Sequence, residues 1–149
     1  MFIRVIHGPN LNMLGIREPE FYGSTSLVQI NDTINSISDQ LGVEIECLQS
    51  NHEGQIVSWI QEAVLNKNQQ IDGFVLNLGA YTHTSVAIRD ALLTIEVPFV
   101  EVHMSNVYAR ETFRHKSLVA DISLGVICGF GEQSYILGLQ ALVSHISKP

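Results

Sequence analysis

Apolar residues follow two alternating patterns along the chain. Short, nearly unbroken apolar runs occur at FIRVI (2–6), VEIECL (43–48), DGFVLNL (72–78), PFVEVH (98–103) and SLGVICGF (123–130). Runs of this length, rich in β-branched residues, predict strands, and Pro98 is tolerable at the start of one. Between them the apolar positions recur at helical spacing. Leu27, Ile30, Ile34, Ile37 and Leu41 share one helical face, with N-cap chemistry at residues 24–26 and a stop at Gly42. Ser50 or Asn51 can cap a second helix with Ile56, Trp59, Ile60, Ala63 and Val64 facing inward. Thr82 or Thr84 can cap a third, through Val86, Ala87, Asp90, Ala91 and Ile95. Glu132 to Ile146 closes the chain as an amphipathic helix.

Strand and helix alternate throughout, and the strands are almost continuously apolar. That combination predicts a parallel sheet covered on both faces. The expected fold class is therefore α/β: a flavodoxin-like three-layer fold with a five-stranded parallel sheet and helices on both faces. One domain, 1–149, accommodates all of it, and no internal repeat is visible. In such sheets ligands bind beyond the carboxyl ends of the strands. One segment has no period: GPNLNMLGIREPEFYG, residues 8–23, directly after the first strand. Irregular loops of this length in compact domains are either functional lids or disordered linkers.

Composition narrows the function classes. The formal charge of −7 over 149 residues argues against a general binder of nucleic acid or anionic membrane, which needs a basic surface. No apolar stretch reaches the ~20 residues of a membrane span, and the N-terminal apolar run is too short for a signal peptide. Cys47 and Cys128 fit no zinc or redox spacing and are expected to be buried, reduced thiols of a cytoplasmic protein. Only eight residues are Lys or Arg, yet Arg110, Arg114 and Lys116 fall within seven positions, which suggests a local anion site.

Polar and ionisable residues collect at the predicted carboxyl ends of three strands. Asn10, Arg17 and Tyr22 follow the first; Asn77 and the YTHTS run with His83 follow the third; Glu101, His103, Arg110 and Arg114 mark the fourth and its sequel. Glu101 and His103 are two apart, so on an extended strand they share a face, and the carboxylate can orient the imidazole. Arg110 and Arg114 would share a face if helical, their repulsion offset by an anion or an acidic neighbour. Residues 104–106 begin a segment expected to be helical, whose free backbone N–H groups could receive a carboxylate. Arg17 near Tyr22 would favour the phenolate. Each residue alone also suits an ordinary cap, packed ring or solvated face; their convergence is what points to a site.

GPNLNMLGIREPEFYG, LNLGAYTHTSVAIRDAL and VPFVEVHMSNVYARETFRHKS together closely resemble the type II 3-dehydroquinate dehydratases, over essentially the whole chain. The resemblance implies a flavodoxin-like fold, a homo-oligomer that is a dodecamer of four trimers, and a cofactor-free, metal-free hydro-lyase. It implies that 3-dehydroquinate loses water by anti elimination, through an enolate, to give 3-dehydroshikimate in the shikimate or quinate pathway. On this resemblance residues at about 11–23 form a lid, Tyr22 is the base, Arg17 supports the tyrosinate from the same lid, and Asn10 stabilises the enolate through an ordered water. His103 protonates the departing hydroxyl and Glu101 orients it. Asn77, Met104 and Ser105 hold the substrate carboxylate, His83 and Arg114 bind ring hydroxyls, Arg110 lies near the tyrosine, and Asp90 reaches the site of a neighbouring subunit.

The residue types agree with that chemistry, since an elimination needs an acid, a base and an oxyanion stabiliser. Lys67, Lys116 and Lys148 lie in no predicted strand, so no buried imine-forming lysine is expected. The alternative is a flavodoxin-like nucleotide- or flavin-binding module, which the absence of a glycine-rich phosphate cradle after the first strand disfavours. A catalytically silent scaffold would be expected to lack Tyr22, Arg17 or His103, and all three are present. Four positions depart from the family pattern: His7 replaces an amide residue, Lys116 and Leu118 follow Arg114 where His and Tyr are usual, and Ser134 replaces a glycine.

Overall fold

The computed structural model describes residues 1–16 and 24–148. Five strands, β1 (Phe2–His7), β2 (Glu44–Gln49), β3 (Gly73–Asn77), β4 (Phe99–His103) and β5 (Gly125–Cys128), form one sheet in the order β2-β1-β3-β4-β5. Every pairing is parallel. This is the flavodoxin-like order, whose switch point lies between β1 and β3. Among the described residues the remaining elements are helices α1 (Leu27–Leu41), α2 (Glu53–Leu65), α3 (Tyr81–Thr84), α4 (Val86–Leu93) and α5 (Gln133–Ile146), with four short 3₁₀ turns. No helix among the described residues is long and apolar enough to cross a membrane.

The period of two in each strand divides the core into two layers. Ile3, Val5, Val75, Val100 and Val102 pack with Ile30 and Ile34 of α1 and with Tyr135, Leu139 and Leu142 of α5. Ile6, Phe74, Leu76 and Phe99 face the other way, against Ile56 and Ile60 of α2 and Ile88, Ala91 and Leu92 of α4. By the same alternation His7 and Asn77 extend the first layer, while Glu101 and His103 extend the second.

Local chemistry sets the helix limits. Ser26 and Gln29 form a reciprocal capping box on α1, and Gly42 ends it in the left-handed conformation at φ 67°. Other limits differ from expectation. The first residue outside α2 is His52; Ser50 Oγ accepts the His52 N–H at 2.9 Å instead of capping the helix itself. Val64 is exposed, because the inward stripe of α2 runs through Ile56 and Ile60 with Trp59 and Ala63 at its margin. Ser85, not Thr82 or Thr84, caps α4 by accepting the Ile88 N–H at 2.9 Å. Thr82 is buried within the preceding single turn, and α4 ends at Leu93, before Ile95. Cys47 and Cys128 are half-buried free thiols, being on the two edge strands.

At the switch point the chain leaving β1 crosses directly against the residue after β3. The Gly8 N–H donates to the Asn77 carbonyl at 2.7 Å, and a Cβ on Gly8 would lie 2.2 Å from the Leu78 carbonyl oxygen. Backbone on both sides leaves no flexible atom to give way. Gly8→Ala is therefore expected to lower the unfolding free energy by about 3 kcal/mol, read by urea denaturation. Gly54→Ala, on α2 with nothing within 4 Å of the added methyl, should be neutral or stabilising by up to about 1 kcal/mol. Equal shifts in the two variants would refute the close-approach explanation.

Candidate active site

A pocket opens at the carboxyl edge of the sheet. Its wall contains Asn10 and Leu11 after β1, Asn77 and Gly79 at β3, His83 on α3, and His103, Met104, Ser105, Arg110 and Arg114 at and beyond β4. Eight of the residues singled out in the sequence thus meet in one place: Asn10, Asn77, His83, His103, Met104, Ser105, Arg110 and Arg114.

Asn10 adopts a left-handed conformation, φ 68°, which an asparagine tolerates better than most residues. Its backbone N–H donates to Asn51 Oδ1 at 2.9 Å. Asn51 is itself held, its Oδ1 accepting from Gln49 at 3.1 Å and its carbonyl from the Tyr81 hydroxyl at 2.7 Å. The strut joins the exits of β1 and β2 to α3.

Asn77 is buried at the end of β3. Its Nδ2 donates to the Tyr135 hydroxyl at 2.8 Å, and its Oδ1 accepts the Gly79 N–H at 3.3 Å. Tyr135 and His7 are in turn 2.8 Å apart through Nδ1, and His7 Nε2 is 2.9 Å from Asn31 Oδ1 on α1. Burial pushes the His7 imidazole down to about 4, the bond to Asn31 acting in the opposite sense. Burial likewise pushes the Tyr135 phenol upward, against the hydrogen bond from Asn77.

Glu101 and His103 project from one face of β4, as their spacing predicts. His103 Nε2 and Glu101 Oε1 are 2.6 Å apart, with Glu101 1% and His103 6% exposed. The second carboxylate oxygen accepts from Ser117 Oγ at 2.9 Å. Ser117 Oγ also accepts the N–H groups of Val119 and Ala120. Both oxygens of a deeply buried carboxylate are thereby satisfied, which removes most of the cost of leaving an acceptor unpaired. His83 stacks beside His103, ring centroids 6.2 Å apart, and its Nδ1–H donates to the Lys116 carbonyl at 2.8 Å. Partial burial lowers the pKa of His83; the bond to Lys116 opposes this, and His103 and Arg114 reinforce it. Its Nε2 is then the acceptor side of a neutral ring.

Beyond β4 the expected helix does not form. Residues 104 and 105 make a bend, and Asn106 caps a 3₁₀ turn, Val107–Ala109, by accepting the Tyr108 N–H. A second 3₁₀ turn holds Thr112–Arg114. Arg110 and Arg114 share no helix face, yet both line the pocket. Glu111 lies between them, 2.8 Å from Arg114 Nε and 3.8 Å from Arg110 Nε. The acidic neighbour that two close arginines call for is thus the residue beside the first. Arg110 also donates to Ser105 Oγ at 3.3 Å.

Glu101 stands behind His103, outside the main pocket. Asp90 is exposed on α4 and is not part of the pocket wall. Arg17 and Tyr22 lie outside the described residues. Sequence reasoning assigned no site role to Asn51, read only as a helix cap, to Ser117, the last residue of the third motif, or to Tyr135, because each acts through a partner brought close only by folding.

The pattern of the family described as dehydroquinase class II matches residues 1–143. The chain belongs to the dehydroquinase class II family. It is 53% identical to a 3-dehydroquinate dehydratase of Geotalea daltonii over 148 residues, covering 99% of this chain and 100% of that one. It is 56% identical to a 3-dehydroquinate dehydratase of Acaryochloris marina over 144 residues, 97% of this chain and 94% of the other. The crystal structure of a type II dehydroquinase from Butyrivibrio crossotus superposes with a TM-score of 0.91 at 48% identity, covering 95% of this chain and 97% of that one.

Within this dehydroquinase class II fold the four departures are accommodated. At Lys116 and Leu118 the backbone carbonyl makes the structural bond, to His83 and Arg89 respectively. Ser134 is fully buried, its Oγ accepting the Phe130 N–H at 3.2 Å. His7 has the largest consequence. A histidine near 6.5 when unfolded and about 4 when folded is favoured neutral by the fold. Its stabilisation is complete above 6.5 and is lost as pH falls through 4, about 3 kcal/mol in all. Denaturation midpoints should therefore drop across that interval in the wild type, and drop less in His7→Gln, which does not titrate. Parallel profiles would show that the buried neutral ring makes no such contribution.

Proposed function

We propose that this chain is a type II 3-dehydroquinate dehydratase, eliminating water from 3-dehydroquinate to give 3-dehydroshikimate in the shikimate or quinate pathway. The observation that carries the reading is the buried Glu101–His103 pair opening onto a pocket lined by Asn10, Asn77, Arg110 and Arg114, in a chain of this family.

The reaction removes a proton from the carbon next to the substrate carbonyl, leaving an enolate. The adjacent C–O bond then breaks, and the departing hydroxyl takes a proton and leaves as water. Tyr22 is the base, with Arg17 supporting its phenolate, and both ride on the lid of residues 11–23. Asn10, held by Asn51, stabilises the enolate oxygen through a water. His103 supplies the second proton: with Nε2 engaged by Glu101, Nδ1 is the nitrogen left to deliver it. Glu101 fixes that orientation and stabilises the imidazolium, as a buried carboxylate does for a catalytic histidine. Asn77, Met104 and Ser105 receive the substrate carboxylate, His83 and Arg114 contact ring hydroxyls, and Arg110 holds the electrostatics around the tyrosine. No cofactor or metal enters this sequence of steps.

The reading extends to a cytoplasmic homo-oligomer, a dodecamer of four trimers, in which Asp90 approaches a neighbour's site. The exposed Phe113, Phe130 and Leu93 are apolar surface that such an assembly would cover. Sedimentation should give the mass of twelve chains, and a monomer would contradict the assembly.

With 3-dehydroquinate added, the ultraviolet absorbance of the conjugated enone should rise. Tyr22→Phe and His103→Ala should each lower kcat by about 10²- to 10⁴-fold. Borohydride added with substrate should leave activity intact, because no imine forms. No enone from the wild type would overturn the assignment, and full activity in Tyr22→Phe would overturn the role of that residue.

A further inference from the structure

The buried hydrogen bonds behind Asn77 run in one direction, and their orientation follows from the backbone. The Gly79 N–H can only donate, so Asn77 Oδ1 accepts it and Nδ2 is turned toward Tyr135. The Tyr135 oxygen accepts from Asn77, so its own hydrogen goes to His7 Nδ1. His7 must then carry its hydrogen on Nε2, which donates to Asn31 Oδ1. A single neutral tautomer satisfies every member. His7, Tyr135 and Asn77 are all buried, and His7 sits directly across from Asn77 in the β1–β3 register. Of the described polar residues on this layer, Asn77 lines the pocket.

We propose that His7 is a positioning residue for substrate binding: through the Tyr135 hydroxyl it acts with the Gly79 N–H to hold the Asn77 carboxamide one way round, and so holds the hydrogen-bonding group that the pocket presents there. The imidazole supplies one acceptor and one donor at opposite ends of the ring. An amide side chain offers the same pair, so this position has a conservative replacement that keeps the chain intact and an apolar one that breaks it. Without an acceptor at position 7 the Tyr135 hydroxyl loses the partner for its own hydrogen and competes with the Gly79 N–H for the Asn77 oxygen. That competition loosens the carboxamide and weakens the preference for a donor facing the pocket. The inference rests on the reading of the pocket as a substrate-carboxylate site, where such loosening weakens binding more than it slows chemistry.

The test compares His7→Phe, His7→Gln and Tyr135→Phe, each confirmed folded by circular dichroism. In steady-state turnover of 3-dehydroquinate, His7→Phe and Tyr135→Phe should raise KM about tenfold or more, with a smaller fall in kcat. His7→Gln should restore KM to within about threefold of wild type. Tyr135→Phe keeps the ring and loses only the hydroxyl, so it decides the matter if His7→Phe fails to fold. An unchanged KM in folded Tyr135→Phe would overturn the proposal, as would a loss in His7→Gln equal to that in His7→Phe. If the wild type fails to turn over 3-dehydroquinate, the functional reading falls and the positioning role is read by NMR of the uncatalysed protein. Slow exchange of the Asn77 side-chain amide in wild type and His7→Gln, lost in Tyr135→Phe, supports it; identical exchange in all three overturns it.

Discussion

The seam between β1 and β3 is the constraint from which the site follows. The two strands run parallel in the middle of the sheet, and beyond them the chain turns to opposite faces, β1 toward α1 and β3 toward α3 and α4. Such a crevice opens only if the two exits approach closely. Here the Gly8 backbone passes against Leu78 with no room for a Cβ. The same approach brings His7 beside Asn77 and sends Asn10 into the pocket wall. Widening the seam by even one methyl would move the exits of two central strands at once.

Around this seam the polar groups of the site are satisfied from behind. The Glu101 carboxylate takes one hydrogen bond from Ser117 and faces His103 with its other oxygen. The Asn77 side chain is held by Tyr135 and Gly79, and the Asn10 backbone by Asn51. A buried polar group with a free rotor would find its own partner and lose the orientation that recognition needs. For Asn77 and for the Glu101–His103 pair, bonds on the far side leave the pocket-facing side for a ligand to complete. Arginine charge is balanced in the same way, with Glu111 set between Arg110 and Arg114.

Much of the fold is legible along the chain. The β-branched runs are the five strands, and Leu27 to Leu41 with Gly42 behind it is a helix ended by its own glycine. Errors gather where a helix is short or only one residue wide of its neighbours. Ser85 caps α4 because it stands directly before the helix, whereas Thr82 and Thr84 lie within the preceding turn Tyr81–Thr84. The segment after β4 offers a plausible helical spacing, but Asn106 and Glu111 break it into two tight turns. The Glu101–His103 pair needed only the two-residue repeat of a strand to be seen. The lid residues Arg17 and Tyr22 are named by the family motif and lie outside the described residues.

The amino-acid sequence by itself determined the alternation of strands and helices, the family, and the residue types collected at the strand ends. The family follows from the resemblance of three long motifs; the rest follows from periodicity and local composition, which act over a few residues and survive any rearrangement of the elements. Only the tertiary structure decided which side chains touch. Ser117 reaches Glu101 across sixteen positions, and Tyr135 reaches His7 across 128. A hydrogen bond between such distant residues depends on strand order, register and the depth of a helix over the sheet. None of these leaves a mark at either residue alone.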